Sequence, residues 1–451
     1  MDTQDDRDRV DGDASSSGDM DTNPAIDRPS TEGPWVSNTL GDSVGQPLDV
    51  RVVFMTHYIP LYQVRVLQSI AASVREFHVL LSTPIEPNRD FQVDWSGLNV
   101  NVQKNFMLRR PWKHTSGFVD DLYVHFPTDT QAQLRRLRPD VVMSLELGAR
   151  SVGAAQYCRR NPDAKLILCT YMSEHSEQGR GWMRRVLRRR LIRQADAVTY
   201  NGPSCLRYLR DRLLVPGPKL FPLPYAADDR VFAVDPPNSA TSDGSRPLGK
   251  LLCIGQLSDR KGVIPLAEQL VAYCRQNPNR HIELTFAGDG PKRHELESMV
   301  TPDNLQFRLI GNVASTELRK TLAVHDAVIS PTLADEWLLV VNEALHAGVP
   351  VIGSVYAQAV TTLVQDDVNG WRFDPLKDAS IASAMDRYFD TNDVAWNAMR
   401  QAAFQSVRER TPHWAASGAI RAIHALKADP WRLPDPELRS RMTAKLAVSQ
   451  P

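Results

Sequence analysis

Ser330-Pro-Thr-Leu-Ala-Asp-Glu-Trp-Leu-Leu-Val-Val-Asn-Glu-Ala-Leu-His-Ala-Gly-Val-Pro-Val-Ile-Gly-Ser354 carries the clearest strand–loop–helix–strand pattern in this chain. Residues 327–330 read as the end of an incoming strand, and Asp335 and Glu336 stand where a helix is expected to begin. Leu338, Leu339, Val341, Ala344 and Leu345 recur at helical spacing. Gly348 suits a left-handed helix stop, and Pro350 prevents the helix from continuing. Residues 349–353 then form a short apolar run, as a buried strand does. This unit holds Asp335 and Glu343 together at the carboxyl end of a strand, where open α/β sheets bind ligands.

The same alternation extends outward. Upstream, strands are expected at 251–254, 282–287 and 307–310, with helices at 264–276 and 292–300. An earlier series places strands at 50–56, 77–81, 98–102, 141–145, 164–171 and 196–200, and helices at 61–75, 129–137 and 152–158. Arg110-Pro-Trp-Lys113 reads as an irregular basic piece between them. Strands alternating with helices predict doubly wound parallel sheets. Two such series predict two Rossmann-like domains of the α/β class, 49–225 and 226–410. A polar, Gly/Ser-rich loop at 238–246 lies near the junction. Residues 1–48 form an acidic tail, and 411–451 a terminal helix with a loose end.

Bulk properties narrow the class. A chain of 451 residues has room for two domains and tails. Its five cysteines are scattered without a C-x-x-C pair, which predicts reduced, buried thiols and neither disulfides nor a zinc site. The first residues lack the apolar core of a signal peptide, and no run reaches the length of a membrane span. Residues 1–48 carry eleven acids and three Arg, a formal −8, so the remainder carries +8 in a chain of zero net charge. That tail has few apolar residues and predicts disorder. Arg180 to Arg193 contains seven Arg and no acid, with Met183, Val186, Leu187 and Leu191 as a stripe at helical spacing. Two readings stand open: a basic amphipathic helix on an anionic membrane, or a helix packed on its sheet with a solvated basic face. Nucleic-acid binding is not expected, because Trp182 alone accompanies the Arg cluster as a stacking aromatic.

Several turns fall at the strand ends that would face a cleft. Gly255-Gln-Leu-Ser-Asp-Arg-Lys-Gly262 follows the first strand of the second series. Gly255 ends the strand, Gly262 admits close backbone approach, and Arg260 and Lys261 supply cations. Gly288-Asp-Gly-Pro291 and Gly311-Asn-Val313 are further strand-end turns. On the first domain, His57-Tyr-Ile-Pro-Leu-Tyr62 follows the first strand, and Ser173-Glu-His175 follows the strand ending at Tyr171.

The acidic pair eight residues apart, the Ala after it and the Gly-x-Pro-Val-Ile strand resemble the donor-site signature of retaining glycosyltransferase family 4, whose fold is GT-B. The loop from Gly255 to Gly262 is similar to the family's first donor loop, Gly-Arg-Leu-x-x-x-Lys-Gly, with Gln256 where Arg is frequent. In the signature, Asp335 stands where Glu is usual, and Leu338 where Gly usually follows the aromatic residue. The resemblance implies transfer of a sugar from a nucleotide-sugar donor to an acceptor hydroxyl, with retention. Asp335 would contact the sugar, and Glu343 the ribose. Lys261 and the backbone at the helix start near Leu338 would meet the departing diphosphate; by their place after the strand ending at Tyr171, Glu174 or His175 would bind or orient the acceptor hydroxyl. Gly255, Gln256, Arg260, Asn312, Val313, Leu338 and Leu339 complete the implied donor site. No metal and no cofactor are implied, since the nucleotide sugar is a substrate. The implied acceptor is a glycan or lipid-linked molecule at the cytoplasmic face of a membrane, and helix 413–427 would cross back to the first domain. The alternative is a GT-B protein without transfer activity that serves in binding or as a scaffold. A nicotinamide dehydrogenase fits poorly, because neither domain opens with G-x-G-x-x-G.

Overall fold

The computed structural model describes residues 46–87, 94–174, 177, 182–232, 246 and 248–427. In chain order its strands are β1 Leu48–Thr56, β2 Val74–Leu81, β3 Asn99–Val102, β4 Asn105–Lys113, β5 Val119–Pro127, β6 Val141–Leu145, β7 Lys165–Cys169, β8 Ala197–Tyr200, β9 Leu220–Pro222, β10 Lys250–Ile254, β11 Ile282–Ala287, β12 Leu305–Gly311, β13 Ala327–Ser330, β14 Val351–Ser354 and β15 Gly370–Phe373. One parallel sheet has the order β3-β2-β1-β6-β7-β8-β9, and a second has β12-β11-β10-β13-β14-β15. These are two Rossmann-like domains. Val52, Val53, Phe54 and Met55 of β1 are all fully buried, as are Leu251 and Leu252 of β10. Helices cover both faces of a parallel sheet, so its central strands are apolar throughout.

Each sheet reverses its strand order once, between β1 and β6 in the first and between β10 and β13 in the second. Ligands bind outside the carboxyl ends of strands at such switch points. Here the loops after β1, β6, β10 and β13 all line one cleft. The chain's last described helix, Pro412–Lys427, packs on helix Leu61–Ala72 and joins the first domain's core through Ala415, Ala416, Ala419 and Ile420. A Cβ on Gly418 would lie 1.8 Å from the Pro222 carbonyl oxygen, so this crossing requires glycine there.

Three local readings need correction, and three helices are added. Arg110 to Lys113 is not irregular: it completes β4, which pairs antiparallel with β5 over nine positions. Pro111 is tolerated because this ribbon has two strands only, so each is an edge. The helix from Leu61 stops at Ala72, and β2 begins at Val74, since burial of Val74 and Phe77 against the core outweighs local helix preference. Helices Ser315–Ala323, Asp378–Asp390 and Asp393–Val407 are additions to the sequence reading. The signature helix starts at Val340, not at Asp335. Leu338 adopts φ 76°, and the Asp335 carboxylate accepts from the Trp337 backbone N–H at 3.1 Å, so residues 335–339 form a turn. Gly348 does end the helix in the left-handed conformation, φ 66°.

All five cysteines are buried thiols, and burial raises Cys158, Cys169 and Cys253 to about 12. No helix among the described residues is long and apolar enough to cross a membrane.

Candidate functional site

A cleft of about 800 Å³ lies between the domains. The second domain contributes Gly255, Gln256, Arg260, Lys261, Asp335, Leu338, Leu339 and Glu343 to its walls, eight residues that the sequence singles out.

The second-domain floor is two loops stitched backbone to backbone. Arg260 O accepts from Leu333 N at 2.9 Å, tying the loop after β10 to the loop after β13. A Cβ on Gly262 (φ 67°) would meet Pro331 O at 2.4 Å, so the two loops can approach this closely only with glycine there. Gly288 and Gly290 play a supporting part: Leu257 N donates to Asp289 O at 3.0 Å, and the 288–290 turn presses on Gly255 and Leu257. The short turn Asp259–Lys261 thereby aims Lys261 at the cleft.

Lys261 Nζ lies 2.7 Å from Asp335 Oδ2, and Arg260 Nη1 lies 3.5 Å from the same oxygen. Burial pushes the Asp335 carboxyl up, but Lys261 and Arg260 outweigh it and hold the group down at about 2. Asp335 is therefore ionised, and both its oxygens are engaged. Glu343 is the opposite case. No side chain among the described residues hydrogen-bonds its carboxylate, and burial, helped by the nearby Asp228 charge, raises it from 4.5 to about 7. A carboxylate so placed on a cleft wall is ready to accept from hydroxyl donors of a ligand.

Leu338 has the left-handed backbone that glycine adopts freely. In a leucine this costs about 1–3 kcal/mol. The buried side chain, packed with Trp337, Val341 and Ala344, offsets that strain. The turn is also held from the first domain. Asn201 Nδ2 donates to Glu336 O at 3.0 Å, and Gln358 Nε2 donates to the same oxygen at 2.7 Å. Gln358 Oε1 in turn accepts from Cys205 N at 3.1 Å. Trp337 stacks on Tyr225, with ring centroids 6.0 Å apart.

The first domain supplies the facing wall. His57 follows β1 and Glu146 follows β6, on the two sides of the switch point, with Nδ1 and Oε1 4.0 Å apart. Arg150 is buried, donating to Ser82 Oγ at 3.2 Å and Leu145 O at 2.8 Å. The β4–β5 hairpin leans over the cleft: Phe118 and Trp112 pack on Leu333 and Ala334 of the second domain. It also brings in Asp121, Tyr123 and His125. Asn105 Nδ2 lies 3.1 Å from His125 Nδ1, and His125 Nε2 lies 3.2 Å from Glu86 Oε1, so the ring is held from both sides.

Two expected residues, Asn312 and Val313, stand off this wall. Asn312 is exposed, and Val313 packs on the second domain's core, so Ser315 takes the wall instead. The reason is that β12 runs on to Gly311, whose φ of 74° turns the chain. His175 lies outside the described residues. Glu174 pairs with Arg207 at 3.2 Å and does not line the cleft, whereas Glu177 does. Sequence reasoning missed His125, Glu86, Glu146, Arg150 and Gln358. The only available signal was the placement of Glu146 directly after a strand. Among the described residues no group of three or more His, Cys, Asp or Glu is clustered to hold a metal.

The comparisons with known proteins agree with this architecture. Residues 249–391 match the family described as glycosyl transferases group 1, and residues 62–226 match the glycosyl transferase 4-like domain. The chain is 28% identical over 152 residues to the phosphatidylinositol N-acetylglucosaminyltransferase subunit of Arabidopsis thaliana, covering 33% of this chain and 32% of that one. It is 22% identical over 223 residues to alpha-D-kanosaminyltransferase of Streptomyces kanamyceticus, covering 48% of this chain and 56% of the relative. The chain thus spans about a third to about half the length of these relatives. The crystal structure of Anabaena Alr3699/HepE in complex with UDP superposes with a TM-score of 0.60 at 15% identity, covering 83% of this chain and 100% of that one. Two glycosyl transferase domain families are thus matched in order, one on each Rossmann-like domain, and the fold shared with the solved neighbours across both domains is GT-B.

Proposed function

We propose that the protein transfers a sugar from a nucleotide-sugar donor to an acceptor hydroxyl, with retention at the anomeric carbon and without a metal. The observation that carries this reading is the pairing on one wall of Lys261, aimed into the cleft from a glycine-bounded turn, with Glu343, whose carboxyl no described side chain hydrogen-bonds. Glu343 suits the ribose hydroxyls. Lys261, with Arg260 beside it, suits the diphosphate. The bond from the anomeric carbon to the phosphate oxygen breaks, and the diphosphate leaves with the electron pair. The acceptor oxygen bonds to the same face, and its proton passes to the departing phosphate oxygen. Cations aimed at a developing charge are often the largest contribution to such a rate. They supply here what a divalent cation supplies elsewhere, which supports the metal-independent reading. Asp335, 2.7 Å from Lys261 Nζ, is the acid nearest the donor sugar in this reading.

The first-domain wall of His57, Glu146, Glu86 and His125 suits a polyhydroxylated acceptor, a glycan or the head of a lipid-linked one, at the cytoplasmic face of a membrane. A solved relative binds UDP and UDP-glucose, which favours a nucleotide diphosphate donor without naming the sugar for this chain. The Arabidopsis relative is named as one subunit of a transferase, which motivates a second reading, a donor-binding component without turnover.

A thermal-shift and calorimetric screen of UDP-, GDP- and ADP-sugars tests the donor, since a selective ligand stabilises the native state by mass action. Chromatography of released nucleotide, with and without candidate acceptors, separates transfer from binding alone. A chain that binds none of the three classes is not a nucleotide-sugar enzyme.

A further inference from the structure

The helix Trp182–Ile192 presents to solvent what most helices hide. Leu191 and Ile192 are buried and anchor it to the first domain. Ahead of them Trp182, Met183, Val186 and Leu187 are 67%, 63%, 51% and 65% exposed. At i, i+1, i+4 and i+5 they form one ridge on one side of the helix. No other helix among the described residues carries four such exposed large apolar side chains. Arg185, Arg190 and Arg193 are exposed around the ridge, and residues 182–195 contain no acid. Arg189 donates to the Arg212 carbonyl at 3.0 and 2.7 Å, tying in a turn that carries a further exposed apolar side chain, Leu214.

An apolar ridge rimmed by guanidinium groups is complementary to an anionic bilayer. The interface accepts Trp and aliphatic side chains, while the headgroup phosphates accept the Arg hydrogen bonds. The inner side of the same helix faces the cleft, where Arg184 and Arg188 line the wall. A second copy of this chain is a poorer occupant, because self-pairing would set one Arg rim against another. A nucleic acid would use the Arg groups but leave the aliphatic ridge unmatched. We infer that the helix Trp182–Ile192 docks the protein on anionic lipid, ridge inserted, so that the acceptor side of the cleft opens at the headgroups. The docking stands on the surface itself, and only its consequence for the acceptor rests on the transferase reading.

The test is cosedimentation of the full chain with vesicles of equimolar phosphatidylglycerol and phosphatidylcholine, and with phosphatidylcholine alone. Binding to the anionic vesicles at low salt, lost as salt rises, is expected. Replacing Arg185, Arg190 and Arg193 by Gln should lower partitioning by about a hundredfold, at roughly fivefold per Arg. Val186→Ser with Leu187→Ser should lower it with every Arg in place. Trp182→Phe should keep binding but remove the fluorescence quenched by brominated lipid. None of these side chains lines the cleft, so UDP affinity should stay constant across the set. Wild-type protein that stays in the supernatant at low salt overturns the inference, as does equal binding to neutral vesicles. So does Arg-dependent retention of oligonucleotides without vesicle binding, or a ridge whose removal only turns a dimer into a monomer. Vesicle binding without any UDP binding would instead strike the transferase reading and leave the docking surface standing.

Discussion

Asp335 and Glu343 stand eight residues apart on one turn and helix, yet their carboxyls occupy opposite surroundings. Asp335 is saturated: two cations hold one oxygen, the Trp337 amide takes the other, and the group stays ionised down to about pH 2. Glu343 has an open carboxyl that burial raises to about 7. The difference teaches that a repeated residue type in a motif does not imply a repeated role. One acid is engaged in holding the site's cations, and the other is left open for a ligand.

The largest expected effect comes from breaking the saturated corner. Lys261→Ala should cut transfer by about a hundredfold to a thousandfold, the usual loss for one donor aimed at developing charge. Turnover per folded molecule, measured beside a urea melt, checks this. An unfolding shift with normal turnover would make Lys261 a structural cation. Asp335→Asn comes next and sharpens the contrast within the turn. It should impair transfer far more than Glu336→Gln, because the Asp335 carboxylate holds both Lys261 and Arg260. The reverse order would reassign the acidic frame. The carboxylate's contribution to stability is present above the ordinary range and is lost as pH falls through about 2, so the Asn protein should lose its deficit at extreme acid.

Glu343→Gln tests the open corner. Loss of a charged hydrogen bond of about 1.5–3 kcal/mol predicts about a tenfold or larger fall in nucleotide affinity by calorimetry. Stability should move the other way. A carboxyl raised in the folded state favours folding fully below pH 4.5, and that contribution fades as pH climbs through about 7. At pH 8 the Gln protein should therefore be more stable than wild type, by on the order of 1–2 kcal/mol after allowance for partial exposure. The gap should close toward pH 4.5 in a melting series, and a gap independent of pH would remove the raised carboxyl. The smallest effect is expected between the two acids, at Leu338. Leu338→Gly exchanges left-handed strain for lost burial and should change stability by about 1 kcal/mol or less. A β-branched Leu338→Val should cost about 2 kcal/mol, since it keeps the strain and resists the conformation. Equal urea midpoints for the two variants would mean that the turn relaxes.

The parallel sheets, most of their strands and the second-domain wall of the cleft were legible from the residues alone. These follow from local rules: apolar runs between turns, glycines at strand ends, and an acidic pair whose spacing survives in the folded chain. Lys261 and Glu343 were legible because each lies on the loop or helix that directly follows its strand, and the carboxyl ends of strands at a switch point converge. The first-domain wall depends on long-range packing. His125 reaches the cleft because β4 and β5 pair and their tip packs on Leu333 and Ala334, contacts more than 200 residues apart in sequence. Gln358 bridges the domains through Glu336 and Cys205, which no neighbouring residue announces. The spacing in helix Trp182–Ile192 marked an apolar stripe, but only packing showed Leu191 inside and Met183, Val186 and Leu187 outside. Periodicity fixes which residues share a face of a helix, and the partner that covers the face is set by the rest of the chain. The same limit explains the two acids: their spacing is written in the sequence, while their opposite protonation depends on cations that the fold brings from 74 residues away.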